Sequence, residues 1–177
     1  KIKTSKHNRA KKGYFIGSVP PYGYKVEKLK EGQKLVIDES TSPIVRLMFD
    51  LALEGYSQYE IAKKFNEIGY TTAKTYYHTG RIYREDGDPE WHKGSISKML
   101  VKPVYTGKLV QGVKQQNLAK GKKQAWADES EHIIVENAVP AIITTEEHEN
   151  IISERKKRKD LHYFSCKPHD FDREPEN

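Results

Sequence analysis

The chain has 177 residues, 32% of them charged and 36% hydrophobic, with 31 Lys and Arg against 25 Asp and Glu and a formal net charge of +6. That length sets an expectation of one domain with appendages, and 11 Tyr, 5 Phe and 2 Trp supply enough bulk for a core to exclude a wholly disordered chain. The single cysteine, Cys166, excludes an intrachain disulfide and points to a reducing compartment, and no apolar run is long enough to span a bilayer.

In chain order, Lys1–Lys12 carries six cations and no acid. It reads as an extended basic arm or the frayed end of a preceding helix. No apolar segment follows it, so it is not a signal peptide. An opening without Met, on a bare basic arm, is what a fragment of a longer protein is expected to show. Gly13–Tyr24 is rich in turn residues, with Pro20, Pro21 and Gly23 bending the chain so that its tyrosines fold back onto a core. Tyr24–Lys28 and Lys34–Ile37 are expected to be short strands around a Lys30-Glu-Gly32 turn.

Helix signals then strengthen. Ser42 as cap, Pro43 at the first helical position and Gly55 beyond the end bracket an apolar stripe of Ile44, Leu47, Met48, Leu51 and Ala52. Ser57 and Glu60 form a capping box for a second helix with Ile61, Ala62 and Phe65 inward and Gly69 as its stop. Two short helices joined by a tight turn suggest a unit of helix-turn-helix type. Tyr76–Tyr83 reads either as a small hairpin around Thr79-Gly80 or as a mobile loop, and Asp86–Pro89 as loop.

A third helix is expected over about Gly94–Val101, stopped by Pro103. It sits in the most informative stretch, Trp91–Ala127, which holds eight lysines and no acid. Folded structure with one sign of charge suits a polyanion-binding face, because each phosphate neutralised releases condensed counterions. On this helix Ile96, Met99 and Leu100 share the inward face, leaving Lys93, Ser95, Ser97 and Lys98 outward. The plain alternative is a surface helix with solvated lysines. Lys108–Val113 and His132–Glu136 are expected to pair across the basic loop Lys114–Ala127. Thr144 and Glu147 form another capping box, whose helix ends in the basic run Arg155–Lys159, a placement that suits the helix dipole. Beyond Lys159 the chain reads as a tail. His162, Cys166 and His169 have a metal-like spacing but lack a fourth ligand, so no metal or other cofactor is expected.

Several of these pieces, in order, resemble the recombinase domain of large serine recombinases, the phage integrase and conjugative-transposon recombinase group. They are Val19-Pro-Pro-Tyr-Gly-Tyr-Lys25; Val36-Ile-Asp-Glu-Ser40 followed by Ile44-Val-Arg-Leu-Met-Phe49 and Gly55; Ile61-Ala-Lys-Lys-Phe-Asn66 with Gly69; Trp91 before Ile96-Ser-Lys-Met-Leu100; Pro103-Val-Tyr-Thr-Gly107; and Val139-Pro-Ala-Ile-Ile143. The resemblance covers roughly Gly13 to Arg158. It implies an α+β fold: a small helical core with an interrupted helix-turn-helix-like unit plus short antiparallel strands. It divides the chain into a basic interdomain arm (1–12), a DNA-binding domain (13–143) and a C-terminal helix and tail (144–177) leading toward an absent zinc ribbon.

The function implied is recognition of a double-stranded attachment half-site within an enzyme that integrates or excises a mobile element. Such enzymes attack DNA through a serine in a preceding catalytic domain, and no segment here resembles that nucleophile motif. This fragment is therefore expected to bind DNA and not to cut it, acting with other recombinase subunits, off the membrane, in the cytoplasm of a bacterial host. The expected DNA-contacting residues are Arg9, Lys11 and Lys12 on the arm; Arg81 and Arg84 among tyrosines; Lys93, Ser95, Ser97, Lys98 and Lys102 on and after the third helix; and Lys120, Lys122 and Lys123 in the basic loop. A basic RNA-binding or protein-interaction domain is the alternative.

Overall fold

The computed structural model describes residues 2–117, 122–126 and 132–165, with the side chains of 5–113 and 132–160. The order is α1 (Ile2–Lys11), β1 (Tyr24–Lys28), β2 (Gln33–Ile37), α2 (Ser42–Leu53), α3 (Gln58–Ile68), α4 (Ala73–Thr79), α5 (Lys93–Leu100), a 3-10 turn at Pro103–Thr106, β3 (Leu109–Gln111), β4 (Lys114–Asn117), β5 (Lys122–Trp126), β6 (Ile133–Val135) and α6 (Thr145–Ser165). The strands form three antiparallel pairs, β1 with β2, β3 with β6 and β4 with β5. This is the α+β class expected. Of the two readings of the N-terminal segment, the helical one holds and the extended one does not: Ile2–Lys11 form α1, its Ala10 is buried, and Arg9 and Lys11 lie in its last turn.

The core forms where the apolar faces of α2, α3 and α5 meet the turns. Met48, Phe49, Ile61, Phe65, Ile96, Leu100 and Tyr105 are all at most 1% exposed. Tyr105 fixes the arrangement. Its ring stacks on Tyr24 (centroids 6.0 Å apart) and meets Phe49 edge-on, while its hydroxyl donates to the Tyr22 carbonyl at 3.1 Å. The Tyr24 hydroxyl donates in turn to the carbonyls of Val104 and Pro140. A buried tyrosine usually finds a partner for its O–H, and these three bonds tie the Pro-Tyr-Gly-Tyr turn to both ends of the Pro103–Ile143 segment. Gly23, at φ +93°, is needed there: a Cβ would lie 2.9 Å from a Val45 methyl.

Both capping boxes form. Ser57 accepts from the Glu60 amide while Glu60 accepts from the Ser57 amide, and Thr144 and Glu147 do the same for α6. The cap of α2 falls on Thr41 rather than Ser42. The Thr41 hydroxyl is diverted from the helix end, donating to Asp38 and accepting from the Gly23 amide. Tyr76–Tyr83 is neither a hairpin nor a plain loop. Thr72 caps α4, Gly80 ends it in the left-handed region, and Tyr70 and Tyr83 then form an isolated bridge with stacked rings. The anticipated pairing across 114–127 is found between β3 and β6, and the strand pair β4–β5 lies inside that stretch.

Candidate nucleic-acid interface

Helix α5 is the centre of the candidate site. The chain reaches it through a two-way clamp: the Trp91 amide donates to the Asn66 side-chain oxygen at 2.8 Å, and the Asn66 amide group returns a bond to the Trp91 carbonyl at 3.0 Å. The indole of Trp91 meets Phe65 and Tyr22 edge-on. Residues 69–92 therefore leave α3 and come back to it, which restores a helix-turn-helix-like juxtaposition of α3 and α5 despite the long interruption. The helix begins one residue before the expected Gly94 and His92 occupies its cap without a side-chain bond. Ile96, Met99 and Leu100 are buried, and Lys93, Ser95 and Lys98 are exposed, as the spacing predicts.

Ser97 differs. It is half-buried, and its hydroxyl accepts from one terminal nitrogen of Arg155 on α6 at 2.7 Å while its carbonyl accepts from the other at 3.1 Å. Burial lowers the Arg155 guanidinium below its ordinary pKa, and Arg155 has no carboxylate partner among the described residues. Ser97 is thus an anchor between α5 and α6. Arg155 was read from sequence only as part of a basic helix end. The signal for its role was present: His148, Ile151 and Arg155 recur at helical spacing, and the first two are buried.

Arg81 and Arg84 are spoken for within their own loop. Arg81 pairs with Glu85 at 2.6 Å and Asp88 at 3.0 Å; Arg84 pairs with Glu90 at 3.2 Å and donates to the Asp88 carbonyl. The Asp88 carboxyl is held below its ordinary pKa first by the Glu85 amide that it accepts and then by Arg81. This counts against free cations at 81 and 84. The reason sequence suggested otherwise is that Arg beside Tyr83 looks the same whether or not acids four to seven residues on fold back. Lys102 is exposed just beyond α5, and Arg9, Lys11 and Lys12 are exposed on and after α1. Arg9 contacts Ser5 at 3.5 Å and no acid among the described residues. Lys122 and Lys123 lie on β5, with side chains outside the described set, and Lys120 lies outside the described residues altogether.

Among the described residues no cluster of His, Cys, Asp or Glu could hold a metal ion, and no helix is long and apolar enough to cross a membrane. Cys166 and His169 lie outside the described residues.

A family model described as Recombinase matches residues 39–158, more than half of the chain. The chain belongs to that family. The resemblance to the recombinase domain of large serine recombinases therefore holds, and the match covers α2 through the basic run of α6. Two solved structures share the fold. A crystal structure of an LSR–DNA complex superposes with a TM-score of 0.56 at 14% identity, over 89% of this chain and 38% of the other. A structure from work on the sequence requirements of the Listeria innocua prophage attP site gives 0.52 at 16% identity, over 88% of this chain and 51% of the other. The recombinase chain here thus spans about half or less of the length of either.

Proposed function

We propose that this recombinase chain binds double-stranded DNA at an attachment half-site, as one module of a serine site-specific recombinase whose chemistry is done by another domain. The observation that carries the reading is the division of α5: three apolar residues locked into the core, and Lys93, Ser95 and Lys98 standing free on the opposite face. A short helix held rigidly from behind, with free donors in front, has the form of a major-groove reader. Its setting adds to this, since one structure of the same fold is of a protein–DNA complex.

In this reading base contacts come from Ser95 and Lys98, with Lys93 at the helix start. Arg9, Lys11, Lys12, Lys102, Lys120, Lys122 and Lys123 supply phosphate contacts, which position the module without reading sequence. Ser97 sets the tilt of α5 through Arg155. Arg81 and Arg84 reach DNA only by giving up their carboxylates. With roughly six to nine phosphates engaged, log affinity falls against log salt with a slope of about −5 to −8. Fluorescence anisotropy with a duplex selected from a random library measures this. A slope near zero, or tighter binding to single-stranded RNA than to any duplex, defeats the proposal and favours the RNA or protein-interaction alternative.

A further inference from the structure

A concave feature lies beside α5. A cleft of about 800 Å³ opens between the Pro20–Pro21 turn, β1, α4 and the chain leaving α5. Its walls carry five tyrosines from three segments: Tyr22 and Tyr24 at the start of β1, Tyr76 and Tyr77 on α4, and Tyr105 after α5. Asp38, 7% exposed, also lines it and accepts from the Ser40 amide, the Thr41 hydroxyl and the Tyr76 hydroxyl, the last at 2.7 Å. The Tyr22 hydroxyl is buried and has no hydrogen-bond partner among the described residues. Such a group is costly unless something supplies the missing bond. Burial raises its pKa well above the ordinary tyrosine value, so it keeps its proton at neutral pH.

Lys25, Lys74 and Lys102 also line the cleft, all three exposed, and none pairs with a carboxylate among the described residues. Lys102 keeps exposed surface, but the neighbouring walls enclose part of its side chain, and that partial desolvation lowers its ammonium below the ordinary value. Tyr77 is exposed and Tyr76 half-buried, whereas Tyr22 and Tyr24 belong to the buried floor, so the cleft offers the aromatic surface of α4, a cationic lining and a polar interior within one volume of ligand-pocket size.

We propose that this cleft binds a nucleotide, its base stacked on the tyrosines and its phosphate held by the lysines. Every base has a π-face, and stacking on aromatic side chains is the usual way proteins hold an unpaired one. An acidic peptide would answer the lysines but leave the aromatic walls and the inward hydroxyl unmatched. The nucleotide is either a free mononucleotide or an unpaired residue of DNA bound nearby, and only the second source rests on the DNA-binding reading.

The test titrates the four deoxynucleoside monophosphates into the chain while following tyrosine ring shifts by NMR. Deoxyribose 5-phosphate, deoxyadenosine and a hexaglutamate peptide serve as controls. The expected Kd is about 0.1–1 mM, with the sugar phosphate and the nucleoside each about tenfold weaker. Tyr77 and Lys74 are exposed, so Tyr77→Ala and Lys74→Ala should each weaken binding about fivefold without moving the melting temperature. The proposal is overturned by equal affinity for sugar phosphate and nucleotide, by tighter binding of the peptide, by undiminished binding in both variants, or by no binding at all. A duplex with one bulged nucleotide, compared with its fully paired counterpart, assigns the source. A preference for the bulge that Tyr77→Ala abolishes identifies an unpaired residue of DNA; mononucleotide binding without that preference identifies free nucleotide. If mononucleotides bind and paired duplex does not, the DNA-binding reading fails and this one stands.

Discussion

The ion pair between Arg46 on α2 and Glu147 on α6 gives the sharpest quantitative expectation. The contact is bidentate, at 2.6 and 3.0 Å, and Arg46 also reaches Asp50 at 2.7 Å. Arg46, and after it the Thr144 amide, hold the Glu147 carboxyl at about 2 instead of its ordinary 4.5. At about 1.4 kcal/mol per tenfold change in proton affinity, that difference sets a ceiling near 3 kcal/mol. The side chains are 37% and 27% exposed, however, so solvent screens the pair, and about 1 kcal/mol is the expected contribution. Glu147→Gln isolates it, because glutamine also completes a capping box and so spares the cap. The expected loss at pH 7 is about 1 kcal/mol, or a drop of about 2–4 °C in melting temperature for a domain of this size. The folded carboxylate stays ionised down to about 2, whereas the unfolded one takes up its proton near 4.5. The pair's contribution is therefore complete above about 4.5 and lost as pH falls from there toward 2. Circular dichroism melts of both chains at pH 7 and near pH 2.5 read this directly. If the gap between them is absent at pH 7, or persists undiminished at low pH, the pair is not what holds α6 to α2.

Other outcomes follow from the same geometry. Arg155→Ala should reduce discrimination between a selected duplex and random DNA by about tenfold while changing the salt slope by much less than the 0.9 or so that a lost phosphate contact removes; Ser97→Ala, which keeps the carbonyl bond, should have a milder effect, and equal losses on both DNAs would mean Arg155 touches phosphate itself. Lys98→Ala should cost about 1–3 kcal/mol on the selected duplex and little on random DNA, as anisotropy titrations at fixed salt can show; a uniform loss with a shallower slope would reassign Lys98 to the backbone. His148, buried against Phe49, is held below its ordinary 6.5 chiefly by burial. Below 6.5 the unfolded chain takes up this proton more readily than the folded one, so stability falls as pH drops through the folded value. Urea unfolding at pH 7 and pH 5 should show that decline in the parent chain and a smaller one in His148→Leu; parallel declines would assign it to other groups.

The sequence was most legible where a local rule and the tertiary structure agree. Ser57 with Glu60 and Thr144 with Glu147 could be read at once, because a capping box is complete within four residues. The apolar face of α5 was equally plain, since Ile96, Met99 and Leu100 repeat at helical spacing. The partner of β3 was visible in outline because both strands are apolar and flank a polar insert. Helix α4 was not legible. Ala73–Thr79 is only seven residues long, and its threonines and tyrosines favour strand; what settles it is Thr72 at one end, Gly80 at the other and the long-range bond from Tyr76 to Asp38. The arginines at 81 and 84 were legible as charge but not as charge already balanced, for pairing depends on a loop path that no periodicity encodes. Ser97 and Arg155 are 58 residues apart, and only the docking of α6 brings them together.

That docking bears on how the candidate interface is held. Helix α6 touches three separate parts of the core: Arg46 of α2 through Glu147, Ser97 of α5 through Arg155, and the Gly55 carbonyl, where Arg158 donates at 3.0 Å. Between them His148 and Ile151 are buried. Helix α5 spans only eight residues and has neither a side-chain N-cap nor an acid in its first turn, so its own backbone gives it little stability. Its orientation comes from the Asn66–Trp91 clamp on one side and Arg155 on the other. Loosening either should cost recognition before it costs the fold, because Phe49 and Tyr105 pack on each other and on Tyr24 away from both contacts. A lysine presented on a helix fixed before its start and at its middle keeps its place relative to a ligand; the same lysine on a frayed turn contributes charge alone.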